Sequence, residues 1–166
     1  MMPRYGTKAP PVSRRGWIPA GAAVLLLWFA LGGARAELPT KELRVADQTL
    51  TVEIAATPQA MARGLMYREH MPEAHGMLFI WPRDEVVAMW MKDTLIPLSV
   101  AFIDRDFRVL NIADMEPRSM RTHPSHGPSR YALEVNQGWF DRHGIEAGTR
   151  IDDLERLVTD LAGGRH

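Results

Sequence analysis

From Leu43 onward the apolar residues recur in short alternating runs cut by glycine and proline, and few stretches show helical spacing. A chain built this way has too few crossover helices for a parallel α/β fold. It should instead bury one face of each short strand. The expectation is a mainly β domain, compact and of sandwich or barrel-like form, with one or two short helices. There is no cysteine, so disulfides, thiolate metal sites and thiol nucleophiles are excluded. A core must hold the domain together, and about 130 residues can bury enough surface to do so.

Those 130 residues are what remains after residues 1–36, which read as an export signal. Arg4, Lys8, Arg14 and Arg15 precede an apolar run from Ile18 to Leu31, and Ala34-Arg35-Ala36 gives a cleavage-site pattern. The run is shorter than the ~20 residues that cross a bilayer. An uncleaved anchor facing the periplasm is the alternative, and it is the one membrane contact expected. The protein is thus expected to be periplasmic or secreted, with one domain over 37–166, a core over about 43–151 and a tail over 152–166. Five of the 20 basic residues and none of the 20 acidic ones precede Glu37, which leaves the rest at a formal −5. That balance argues against nucleic acid as a partner.

Leu43–Val45 and Leu50–Ile54 alternate cleanly and predict a hairpin, with Thr51 and Glu53 on the face opposite Leu50, Val52 and Ile54. Thr57-Pro58 predicts a helix N-terminus, with the helix running to about Met66. Strands are predicted over Met77–Trp81, Val86–Lys92, Ile96–Asp104, Phe107–Ala113 and Tyr131–Asn136. Residues 114–130 lack periodicity and predict a long surface loop. A short helical piece near Trp139–His143 and a frayed helix within Ile151–Leu161 complete the chain.

The candidate site residues are Arg63, Arg68, Trp90, Lys92, Thr94 and Glu134. If the first helix continues one turn, Met61, Leu65 and Arg68 share its apolar stripe, and a buried guanidinium needs a carboxylate. Glu134 lies among apolar neighbours in Tyr131–Val135, on the face opposite Tyr131, Leu133 and Val135. It is expected to meet Arg68 or Arg63, either as a structural ion pair or as part of a ligand site. Trp90 and Lys92 project together from their strand, as in sites that stack rings and bind sugars. The alternative is that Trp90 seals the core with Lys92 lying over it. His123-Pro-Ser-His126 sits in the irregular loop without ligand spacing, so no metal is expected, and no cofactor motif is present.

Met61-Ala-Arg-Gly-Leu-Met-Tyr-Arg68, Gly76-Met-Leu-Phe79, Trp90-Met-Lys-Asp-Thr-Leu-Ile-Pro-Leu98, Phe102-Ile-Asp104 and Ala132-Leu-Glu-Val135 followed by Gly138 are similar in order and spacing to domain-of-unknown-function family 192. The resemblance spans about Leu43 to Ile151. It implies a compact, mainly β domain, often exported in bacteria, and brings no activity, substrate or cofactor. It also implies cysteines in many relatives within the loop corresponding to Glu116–Arg130. Their absence here predicts a freer loop.

Three functions fit these residues. The first is an envelope module that binds a small anionic or sugar-like molecule in a cleft lined by Arg63, Arg68, Trp90, Lys92 and Glu134. The second is an accessory factor that binds another envelope protein through loop 114–130 or a sheet edge. The third is a hydrolase using Glu134 as general acid or base.

Overall fold

The computed structural model describes residues 37–164, and the expected export signal lies outside them. Among the described residues eight strands form: β1 (Thr40–Val45), β2 (Gln48–Ala55), β3 (His75–Glu85), β4 (Ala88–Met89), β5 (Leu98–Ile103), β6 (Val109–Met115), β7 (His123–Pro124) and β8 (Ser129–Asn136). Three helices accompany them: α1 (Pro58–Arg63), α2 (Trp139–Arg142) and α3 (Asp152–Gly163). The domain is mainly β, as the alternation predicts. Its principal sheet has the order β1-β2-β3-β8-β5-β6, and β4 and β7 make a small second sheet. The large sheet is open, with β1 and β6 as its edges, rather than closed into a barrel. Every pairing in it is antiparallel except β2 with β3.

Alternation along the strands sorts side chains between two cores. Leu50, Val52 and Ile54 of β2, Leu78 of β3, and Leu133 and Val135 of β8 pack with Trp139, Phe140, Leu154 and Leu157. Met77 and Phe79 of β3, Ala132 of β8 and Leu98, Val100 and Phe102 of β5 pack with Ala60, Leu65 and Met91. The sheet is therefore covered on both faces, and β5, between β8 and the edge strand β6, is buried at all six positions. Burying a Phe or Leu side chain contributes about 1.5–3 kcal/mol, so two such layers can stabilise a domain without disulfides.

Four local expectations need correction. α1 starts as predicted, with the Thr57 hydroxyl accepting from Ala60 N at 3.2 Å and Pro58 in the first turn, but it ends at Arg63 rather than Met66. Gly64 takes φ 48° and ψ −136° and stops it, and Tyr67 at φ 63° turns the chain again. The helical spacing that placed Arg68 above Leu65 is thereby lost. Val86–Lys92 is strand only at Ala88–Met89, although Val87 and Met91 are buried while Ala88, Trp90 and Lys92 are exposed.

Residues 114–130 include β7, and their backbone bonds to the segments before them. Met89 pairs with His123 and Ala88 with Pro124, Met91 N donates to Ser119 O (3.1 Å), Arg118 N to Thr94 O (2.9 Å) and Ser125 N to Val87 O (2.8 Å). The tail is a twelve-residue helix docked through Leu154 and Leu157. Its Asp153 carboxylate accepts from Arg44 N at 2.8 Å, satisfying a donor on the edge strand β1.

Candidate functional site

Registration across the sheet puts Glu53, Met77, Glu134 and Val100 in one row, because paired residues of neighbouring strands share a face. This is the face carrying α1. The row depends on a close approach of β3 to β8: a Cβ on Gly76 would lie 2.5 Å from the Glu134 carbonyl oxygen, which only glycine permits.

Arg68 reaches the first acid of the row, not the third position. Its guanidinium is hydrogen-bonded and ion-paired to Glu53. The expected Arg68–Glu134 contact is therefore not formed, and among the described residues no ion pair or hydrogen bond joins Arg63 to Glu134 either. The reason is the early end of α1, after which the chain carries Arg68 toward β2. The alternation of β2 puts Glu53 on the face that carries α1, and the early end of α1 decides that Arg68 is its partner.

Glu134 is 3% exposed. It lies on the wall of a cavity of about 230 Å³ between the sheet and the segments that follow α1 and β3. Arg63, Trp90 and Thr94 line the same cavity, so four of the six candidates converge. Arg68 is not among the lining residues. Lys92 is outside as well, with its Nζ 5.6 Å from the Trp90 ring centroid in a cation–π contact. Thr94 is buried, and its hydroxyl is 3.4 Å from Lys92 O.

The rest of the wall is aromatic and thioether. Phe79 and Trp81 stack at 6.0 Å between centroids, two residues apart on one face of β3. Met61 and Met89 are half-buried and line the cavity. Trp81 was not singled out from the sequence. The i, i+2 spacing Met77-Phe79-Trp81, in the strand next to Glu134, was the signal that could have found it.

Burial pushes the Glu134 carboxyl up to about 8, and desolvation is the sole cause. Among the described residues no neighbouring cation offsets it. Arg63 and Glu134 are the charged residues of the wall, and Arg63 is exposed. At neutral pH this carboxyl is mostly protonated, able both to donate and to accept a hydrogen bond.

Unusual backbone lies next in the chain to Met66 and Thr94 of the cavity wall. Asp93 (φ 55°) and Tyr67 (φ 63°) are both left-handed, and they are joined by Tyr67 N to Asp93 O at 2.9 Å and Tyr67 Oη to Asp93 Oδ2 at 3.1 Å. The same carboxylate raises the Tyr67 phenol. Arg118, also left-handed at φ 60°, donates its N–H to Thr94 O. Three chain segments are thus joined beside Met66 and Thr94 of the cavity wall.

A wider concavity of about 490 Å³ lies at Ser99, Asp114 and Gly138. There the Ser99 hydroxyl donates to Asp114 and accepts from Gly138 N at 2.8 Å. With both functions of the hydroxyl engaged, the pair ties β5 to β6 and to the start of α2.

The chain matches the model of the family DUF192, described as "Uncharacterized ACR, COG1430", over residues 41–152, and belongs to that family. No curated protein matches it. Among solved structures, it is similar to a candidate transcription regulator from Sinorhizobium meliloti 1021, at 37% identity and a TM-score of 0.65, over 69% of this chain and 93% of that one. It is also similar to a protein of unknown function from Novosphingobium aromaticivorans DSM 12444, at 31% identity and a TM-score of 0.65, over 69% and 86% respectively.

Proposed function

We propose that this domain is a small-molecule binding module of the bacterial envelope, exported by its N-terminal segment. The observation that carries it is the convergence of Arg63, Trp90, Thr94 and Glu134 on one cavity between helix and sheet. Pockets with apolar aromatic walls and a few directed polar groups are the usual form of ligand sites. The ligand class is a small molecule with hydrogen-bonding groups on an apolar face, sugar-like or carrying an anionic group toward Arg63. Arg68 and Lys92 have no part in it, since one is paired with Glu53 and the other lies over Trp90 outside the cavity. The description of the Sinorhizobium protein as a regulator is not adopted, because a formal charge of −5 over residues 37–166 opposes a nucleic-acid partner.

Thermal unfolding against a panel of sugars, organic acids and amines tests the proposal. A ligand held by the native state at a hundred times its Kd adds about 2.7 kcal/mol of stability. At least one compound should raise Tm in the wild type and lose that effect in Trp90→Ala. A panel without effect contradicts the proposal.

One observation favours a second role. A carboxyl raised to about 8 in a pocket is suited to act as a general acid. Glu53, however, is removed from the cavity by Met77 and paired with Arg68, so no second acid lines the wall. A single acid supports binding better than glycoside hydrolysis, which uses two.

A further inference from the structure

The Glu134 carboxyl is aimed into a space that offers it no charge partner. It is 97% removed from solvent, no side chain among the described residues bonds to it, and its neighbours across the sheet, Met77 and Val100, are apolar. Around the same space stand Phe79, Trp81 and Trp90 with the thioethers of Met61, Met66 and Met89. An acid surrounded by π-faces and polarisable sulfur lacks one thing, a cation with apolar surface. Aromatic rings attract such a group by their quadrupole, and a carboxylate attracts it by charge. We infer that the cavity takes a small organic ammonium ion, with its charged nitrogen toward Glu134 and its alkyl surface against Trp81, Trp90 and Phe79.

This inference rests on the binding reading above and specifies its ligand. Arg63, the other charged residue of the wall, is exposed and lies on α1 rather than in the sheet. It does not neutralise the acid, since burial alone governs Glu134. Arg63 therefore leaves the inner end of the cavity to the ligand's cation and can meet an acidic group on the ligand's other end.

Calorimetric titration with choline, 3,3-dimethylbutan-1-ol and methyl glucoside tests the inference. The first two share a shape and differ in charge. Choline should bind at least tenfold more tightly than the neutral alcohol, and Glu134→Gln should cut that difference severalfold, leaving the part that the aromatic rings supply. In the wild type at pH 7, choline binding should release most of one proton, because the carboxyl must ionise to meet the cation. That release is read by repeating the titration in buffers of different ionisation enthalpy, and it needs no variant. Equal binding of choline and the alcohol, or choline binding without proton release, would overturn the inference. Binding of methyl glucoside without choline would overturn it while leaving the binding module intact. Failure of all three, together with a silent metabolite panel, would remove both.

Discussion

Glu53 and Glu134 stand in one cross-strand row with Met77 between them, and Arg68 pairs with the first alone. Two acids on one face of one sheet thereby acquire opposite characters. Glu53 is a partly exposed member of an ion pair, whereas Glu134 is buried, unpaired and pushed up to about 8. The site is defined by the acid that the nearest arginine does not serve.

The pH dependence of folding follows from this. The folded-state value of Glu134 lies above its ordinary 4.5, so the native state holds more protons than the unfolded one between about 4.5 and about 8. Stability should be fully present below that window and fall as pH rises through it, by on the order of a few kcal/mol. Urea unfolding at intervals from pH 4.5 to 9 measures the slope. Glu134→Gln should flatten it, and an unchanged slope in that variant would assign the effect to another group.

Arg68→Ala should be mild. Its pair with Glu53 is about a quarter exposed on each side, so the loss is about 1 kcal/mol or less. Ligand affinity should not change. A double-mutant cycle with Glu53→Ala, read by unfolding and by binding, separates the two effects, and a loss of affinity would return Arg68 to the site.

Gly76→Ala should be severe. The new Cβ meets the Glu134 carbonyl oxygen at 2.5 Å, and backbone on a central strand pair cannot easily give way. Overpacking of this kind costs about 1–3 kcal/mol or more. The denaturant midpoint reports it, and a near-neutral result would mean that β3 and β8 can separate without penalty.

The contact between Tyr67 and Asp93 gives a paired prediction. Asp93 is left-handed, so Asp93→Val should lose about 1–3 kcal/mol, whereas Asp93→Gly should stay within about 1 kcal/mol of the wild type. Thermal unfolding of both variants checks the ordering.

Much of this architecture was legible locally. The alternation in Leu50–Ile54 and Tyr131–Val135 assigned faces correctly, and Thr57-Pro58 marked the start of α1, because those signals depend on neighbouring residues. What depended on distant pairing was not legible. Nothing in residues 48–55 announces a parallel partner at His75–Glu85, and nothing in the proline-containing loop announces that His123 pairs with Met89. The candidate set was divided for the same reason. Trp90, Thr94 and Glu134 could be picked out by type and face, and Arg63 joined them through α1. Arg68 was misplaced by a helix end two residues beyond its last apolar anchor, Met61. Trp81 was passed over because its role depends on the strand beside it.

The central claim, that Glu134 and its neighbours form a ligand site, is tested most directly by mapping amide chemical shifts during titration with whichever compound raises Tm. The account predicts shifts concentrated at Arg63, Thr94 and Glu134 and at the Trp81 and Trp90 indoles, with little change at Ser99, Asp114 and Gly138. Shifts centred on that second concavity, or spread without focus over the sheet, would contradict it.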